Sequence, residues 1–280
     1  MKHYGYGLLL LLSTAPVLAA QPADSPLNAP TLYLQQVDKA IREGRLTQAE
    51  QMIGLLEQLG PGAFADDLAL LKAEHAIARM DVASAGTALA GIRNLERNVC
   101  RVYAAKGWVA ANQQALDEAI VALAKATTDC PDDAGAWNLL GLAFIGKGET
   151  SAAKEAFEQA LALEPDNAHV INNHALAILQ DGAVDAALRQ LDRAVTRSPQ
   201  DGMIRTNRNF VAGMAGLSPE RAQNENDADW SAKLVQFARG AKAAALGIQA
   251  TALFSRAILT LDRFDETIWT ELNPTVENPR

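Results

Sequence analysis

Metal or nucleophilic chemistry would have to come from four histidines and two cysteines, and their spacing argues against both. The histidines are His3, His75, His169 and His174. His169 and His174 are five residues apart, not the four that put two imidazoles on one helix face, and no His-Glu-x-x-His run occurs. A Gly-x-Ser-x-Gly nucleophile turn and a phosphate-cradling glycine loop are both missing. The acidic pairs Asp66-Asp67 and Asp132-Asp133 stand where helices begin, so their carboxylates read as caps. The sequence therefore predicts no enzyme, no metal and no cofactor.

Chemistry of recognition is better represented. Asn138, Asn172, Asn173 and Asn209, with Asn207 as a further candidate, sit in helix-periodic segments together with Leu142, Leu176 and Arg205. An asparagine amide both donates and accepts, and it is a poor helix former, so a run of them suits binding the main chain of another protein. The same residues could equally be solvated positions or caps of neighbouring turns. Lysines that would join them in clamping a chain-terminal carboxylate are missing from these positions, so that specificity is not expected.

The elements that would hold these residues repeat. Pro131, Pro165 and Pro199 are 34 residues apart, as are Ala119, Ala153 and Ala187, then Leu123, Phe157 and Leu191, then Ala126, Ala160 and Ala194. The best copy reads Trp137-x2-Leu140-Gly141-x2-Phe144, Ala153-x3-Phe157-x2-Ala160, Pro165. This is the tetratricopeptide signature, with Phe in place of Tyr. Gly141 and Ala153 are small where two helices cross, Trp137, Leu140 and Phe144 share a helix face, and Pro165 stops the second helix. His174 takes the place of Leu140 and so reads as a packed histidine. The register decays outward, through Tyr103 and Gly107 and through Ala69, Ala73, Ala85 and Leu89 to the turn at Gly44. The expected fold is all-α: a right-handed superhelix of six or seven helix pairs whose first helices line a concave wall.

Charge and hydropathy set the remaining bounds. Lys and Arg number 25 against 33 Asp and Glu, a net charge of −8, which disfavours nucleic acid and anionic membrane as partners. Residues 1–20 have the pattern of a signal peptide: Lys2, the apolar run Gly7–Leu12, then Pro16 and small residues through Ala19 and Ala20. An uncleaved anchor is the other reading of that segment. No cysteine follows the apolar run, so a lipoprotein is not expected. The boundaries expected are 21–31 for a flexible leader and 32–215 for the solenoid. An irregular joint with a short helix is expected at 216–229, and a last helix pair and capping helix at 230–280. No span is expected once the signal is removed, and the destination is the periplasm. There Cys100, at the start of one repeat, and Cys130, at its end, could close a disulfide; the alternative is two small apolar residues at a repeat joint.

Within the tetratricopeptide class, the chain resembles the TadD-type proteins of tight-adherence (Flp) pilus assembly. The resemblance lies in the leader, the Ala-rich repeats, the stretch from Ile204 to Ala212 that includes Arg205 and Asn209, and the closing stretch from Thr251 to Ile258. It implies a periplasmic assembly factor that binds protein or peptide segments, among them pilus or secretin components. Such proteins are commonly lipoproteins, and here the chain departs from the pattern.

Overall fold

The structure is a computed structural model that describes residues 29–273, apart from Leu95, Arg97, Asp262 and Arg263. The segment expected as a signal peptide and residues 21–28 of the expected leader lie outside the described residues, and residues 29–31, also expected in the leader, belong to the first helix. Those described form helices joined by turns and loops, with no strand among them.

Six antiparallel pairs follow the chain among the described residues. They are α1 (Ala29–Arg42) with α2 (Leu46–Gln58), α3 (Ala65–Ala78) with α4 (Val82–Ala90), and α5 (Val99–Asn112) with α6 (Leu116–Asp129). Then come α7 (Ala134–Lys147) with α8 (Thr150–Leu163), α9 (Ala168–Gln180) with α10 (Val184–Arg197), and, after the unpaired α11 (Gly202–Met214), α12 (Asp227–Ala243) with α13 (Gly247–Thr260). A short α14 (Glu266–Leu272) packs on α13. The first helices α1, α3, α5, α7, α9 and α11 also touch one another in order, and so make a continuous wall.

Two local devices recur with the repeat. Asp133, Asn167 and Asp201 each accept a hydrogen bond from a backbone N–H in the first turn of α7, α9 and α11. In each pair the first helix ends on one residue with positive φ: Gly44, Met80, Gln114, Gly148, Gly182 and Ala245. That conformation lets the next N–H bond back to a carbonyl of the last helical turn, as Glu149 N–H does to Phe144 O at 2.9 Å.

Between the two helices of a repeat the packing is tight. A Cβ on Gly141 would lie 2.6 Å from the Phe157 ring, and one on Gly107 would strike Leu123. Phe157, Leu123, Leu191 and Phe254, the large residues of four second helices, are fully buried. Cys100 and Cys130 are bonded, with their Cα atoms 6.0 Å apart, and tie the start of α5 to the end of α6.

The sixth repeat breaks this plan. Gly216 keeps its positive φ and Leu217 N–H bonds to Ala212 O, so the usual turn forms after α11. No helix follows until Asn226 caps α12, so the short helix expected within 216–229 is not present and residues 227–229 belong to α12. The cause is local. Arg221 stands where other repeats have Ala119, Ala153 or Ala187, and Glu225 where they have Leu123, Phe157 or Leu191. A helix there would have no apolar stripe to bury. The chain instead runs back along α11, and α12 lies beside α11 in the same direction. The two helices meet backbone to backbone at Gly213 and Gly240 and splay apart toward their N-terminal ends.

Candidate functional site: the inner wall and the α11–α12 groove

The predicted recognition residues fall on two surfaces. On the inner wall four asparagines form one hydrogen-bonded row across three helices. Asn207 Nδ2 donates to Asn172 Oδ1 at 2.9 Å, Asn172 Nδ2 to Asn173 Oδ1 at 3.1 Å, and Asn173 Nδ2 to Asn138 Oδ1 at 3.0 Å. Two of these bonds span 35 residues, one repeat plus one position, and so lock neighbouring first helices in register. Asn172 is only 1% exposed. It holds the row together and does not face a ligand, which corrects its assignment as a contact. Asn138, Asn173 and Asn207 are half-buried. Among the described residues the carbonyl of Asn207 and the NH2 of Asn138 have no partner, at the two ends of the row.

One helical turn beyond this row runs a stripe of Trp108, Leu142, Leu176 and Phe210, each 34 residues from the next. Leu142 is 40% exposed and the others are half-buried. Interaxial distances of about 8–10 Å between neighbouring helices would set these apolar residues at that step along the wall. Trp108 and Phe210 were missed by the sequence reading, although stepping 34 residues from Leu142 and Leu176 finds both.

Toward the N-terminal end the same wall carries charge. Arg101 Nε donates to Glu74 at 2.8 Å and its Nη2 to Asp38 at 2.5 Å, which joins α1, α3 and α5. Burial raises the Glu74 carboxyl above its ordinary range, with the hydrogen bond from Arg101 pulling against it. His174 lies against the Phe157 ring, centroids 6.4 Å apart, and burial lowers its pKa, with the Glu158 carboxylate opposing. Its Nδ1 is buried without a hydrogen-bond partner.

Arg205 and Asn209 lie elsewhere. They line a groove of about 1020 Å³ between α11 and α12, walled also by α10 and by the joint after Gly216. Asn138, Leu142, Asn172, Asn173 and Leu176 take no part in it. The groove occupies the place of the missing second helix. Its outer wall is fastened. Lys233 donates to Glu225 at 2.8 Å, Ala222 N–H donates to the same carboxylate at 3.0 Å, and Gln249 donates to Gly216 O at 3.1 Å. Burial alone would raise the Glu225 pKa, yet the bonds from Lys233 and the Ala222 N–H hold it below the ordinary carboxylate value.

No described helix is long and apolar enough to cross a membrane. Residues 134–167, the copy that contains α7 and α8, match the tetratricopeptide repeat family model. No curated protein sequence matches the chain. Among solved structures, PilF of Pseudomonas aeruginosa superposes with a TM-score of 0.55 at 18% identity, over 82% of this chain and 98% of that one. A thermophilic tetratricopeptide protein of Thermus thermophilus gives 0.54 at 20% identity, over 65% and 98%. The Cut9–Hcn1 hetero-tetramer of the APC/C gives 0.54 at 14% identity over 89% of this chain and 50% of that chain. At these identities the likeness is one of fold. With the matched repeat, the 34-residue register and the paired helices all in agreement, the chain is a tetratricopeptide-repeat solenoid.

Proposed function

We propose that the chain is a non-enzymatic scaffold of the cell envelope that holds a segment of a partner protein on its inner wall. One observation carries this reading: an ordered amide row, with polar groups spare at its ends, runs beside a stripe of partly exposed apolar side chains at repeat spacing. Repeat solenoids offer such extended concave surfaces, and a helix that lies in a groove uses apolar anchors of this kind. The bond between Cys100 and Cys130 favours an oxidising compartment, as does the signal-like start of the chain. The resemblance to TadD-type proteins points to pilus or secretion-system assembly as the process served. Other envelope biogenesis, on outer-membrane or peptidoglycan machinery, is the alternative.

The test is site-specific photocrosslinking in cells that carry the full chain. A photoreactive residue at Leu142 or Leu176 should trap one partner, whereas the same residue at Val121, exposed on the outer side of α6, should not. Equal trapping from Val121 would remove the inner wall as the docking surface. The identity of the trapped protein decides between a pilus or secretin component and another envelope machine.

A further inference from the structure

We propose that the groove between α11 and α12 is a second docking site, which takes an extended segment of a partner protein through a side-chain carboxylate held by Arg205. The site is independent of the inner wall, since none of the amide row lines it. Three cations line the groove, and two are spent: Arg208 Nε donates to Asp192 at 2.8 Å, and Lys233 is paired with Glu225. Arg205 is exposed, and its guanidinium makes no hydrogen bond or ion pair among the described residues. An arginine fork matches a carboxylate with two parallel hydrogen bonds. Asn209, one turn further along α11, and Gln236, on the facing helix, add amide donors beside it. Glu220 and Asp229 on the opposite wall repel a second carboxylate, so the acidic residue of the ligand is directed to the α11 side.

The shape agrees with the charge. At about 1020 Å³ the groove is at the upper limit of small-molecule sites, and its walls mix polar and apolar surface in nearly equal parts, which suits a length of peptide. A partner helix cannot simply replace the missing one. Asn209 stands where the paired first helices have Gly107, Gly141 and Ala175, so a helix packed as α6, α8 and α10 are would meet a larger, polar side chain. The fastening of the joint by Glu225, Lys233 and Gln249 means that the groove exists before any ligand arrives, which lowers the ordering cost of binding.

The experiment is an NMR titration of the full mature chain with a Glu/Ser/Gly peptide acetylated at its N-terminus and amidated at its C-terminus. The Arg205 side-chain Nε–H and the amides of Asn209 and Gln236 should shift and saturate. The matching Gln/Ser/Gly peptide should leave them unmoved. Arg205→Gln should weaken binding by about three- to fivefold, the range expected of an exposed ion pair. Arg205→Lys should fall between, and Arg189→Gln, on exposed α10 surface outside the groove, should have no effect. A helical circular-dichroism signal and melting point unchanged in Arg205→Gln secure the comparison, because the side chain is exposed. Equal shifts with the glutamine peptide, equal weakening by Arg189→Gln, or tighter binding of an uncapped peptide whose only carboxylate is its C-terminus would each overturn the proposal.

Discussion

From α5 to α10 each first helix is closed by its own second helix, whereas α11 is closed by backbone contact with a neighbour that belongs to the next repeat. In the first region, close approach is absorbed by side chains: Leu123 fits over Gly107 and the Phe157 ring over Gly141. In the second, the carbonyl of Phe210 sits over Gly240 and that of Phe237 over Gly213. A ring or an isobutyl group can rotate away from an added methyl, and a helix carbonyl cannot. A repeat that loses its second helix thus trades adaptable packing for a rigid glycine junction, and gains an open groove.

The largest effect should come from the regular region. Cys100→Ser with Cys130→Ser removes the bond across α5 and α6, which closes a loop of about thirty residues, and should cost about 3–4 kcal/mol. In differential scanning calorimetry this would lower the melting temperature by on the order of 10 °C. A change of under a degree would show that the bond staples nothing.

Next come two glycines that set the regions directly against each other. Gly240→Ala should destabilise by about 3 kcal/mol, at or above the usual upper end for overpacking, because only backbone faces it. Gly141→Ala should cost about 1–2 kcal/mol, since the Phe157 ring can give way. Urea unfolding of both variants decides the matter, and the reverse order would refute the contrast between side-chain and backbone packing.

The smallest effects should separate the regions by pH. His174 has a folded-state pKa below the ordinary 6.5, so the unfolded chain binds more protons. Its penalty grows as pH falls below 6.5 and levels off below the folded value. Glu225 has a folded pKa below the ordinary 4.5, so its stabilisation is present above 4.5 and is lost as pH falls through the folded value. His174→Leu, which restores the residue type at Leu140, should flatten the stability profile just below 6.5. Glu225→Gln should flatten it only in the more acidic window. Urea titrations at closely spaced pH values would show whether the two windows are distinct.

Much of this architecture is legible in the residues alone. Pro131, Pro165 and Pro199 mark the ends of second helices, and Ala153 with Phe157 mark the apolar stripe, because each reports a local constraint that the chain must meet whatever surrounds it. The loss of a second helix after α11 is written there too, in Arg221 and Glu225 at positions that need Ala and a large apolar residue. What could not be read was the consequence, since the direction of α12 depends on Gly213 and Gly240 meeting across 27 residues. The sites divide in the same way. Asn172 carries the same amide as Asn138, and only tertiary packing makes it a buried strut. Grouping Arg205 with the asparagine wall overlooks the repeat step, which takes it to Ile171 and Trp137, packed positions, and not to Asn138, Asn172 or Asn173, so the register already sets it apart from them.

The amide row has a polarity. Every bond in it points the same way, NH2 to carbonyl, from Asn207 through Asn172 and Asn173 to Asn138. Inverting one amide would set carbonyl against carbonyl on one side and NH2 against NH2 on the other, so the four orientations change together or not at all. The wall therefore has a head that donates, at Asn138, and a tail that accepts, at Asn207. A concerted flip of all four would reverse the row and lose no bond, so its two ends stay unlike, one donor and one acceptor, whichever way it points.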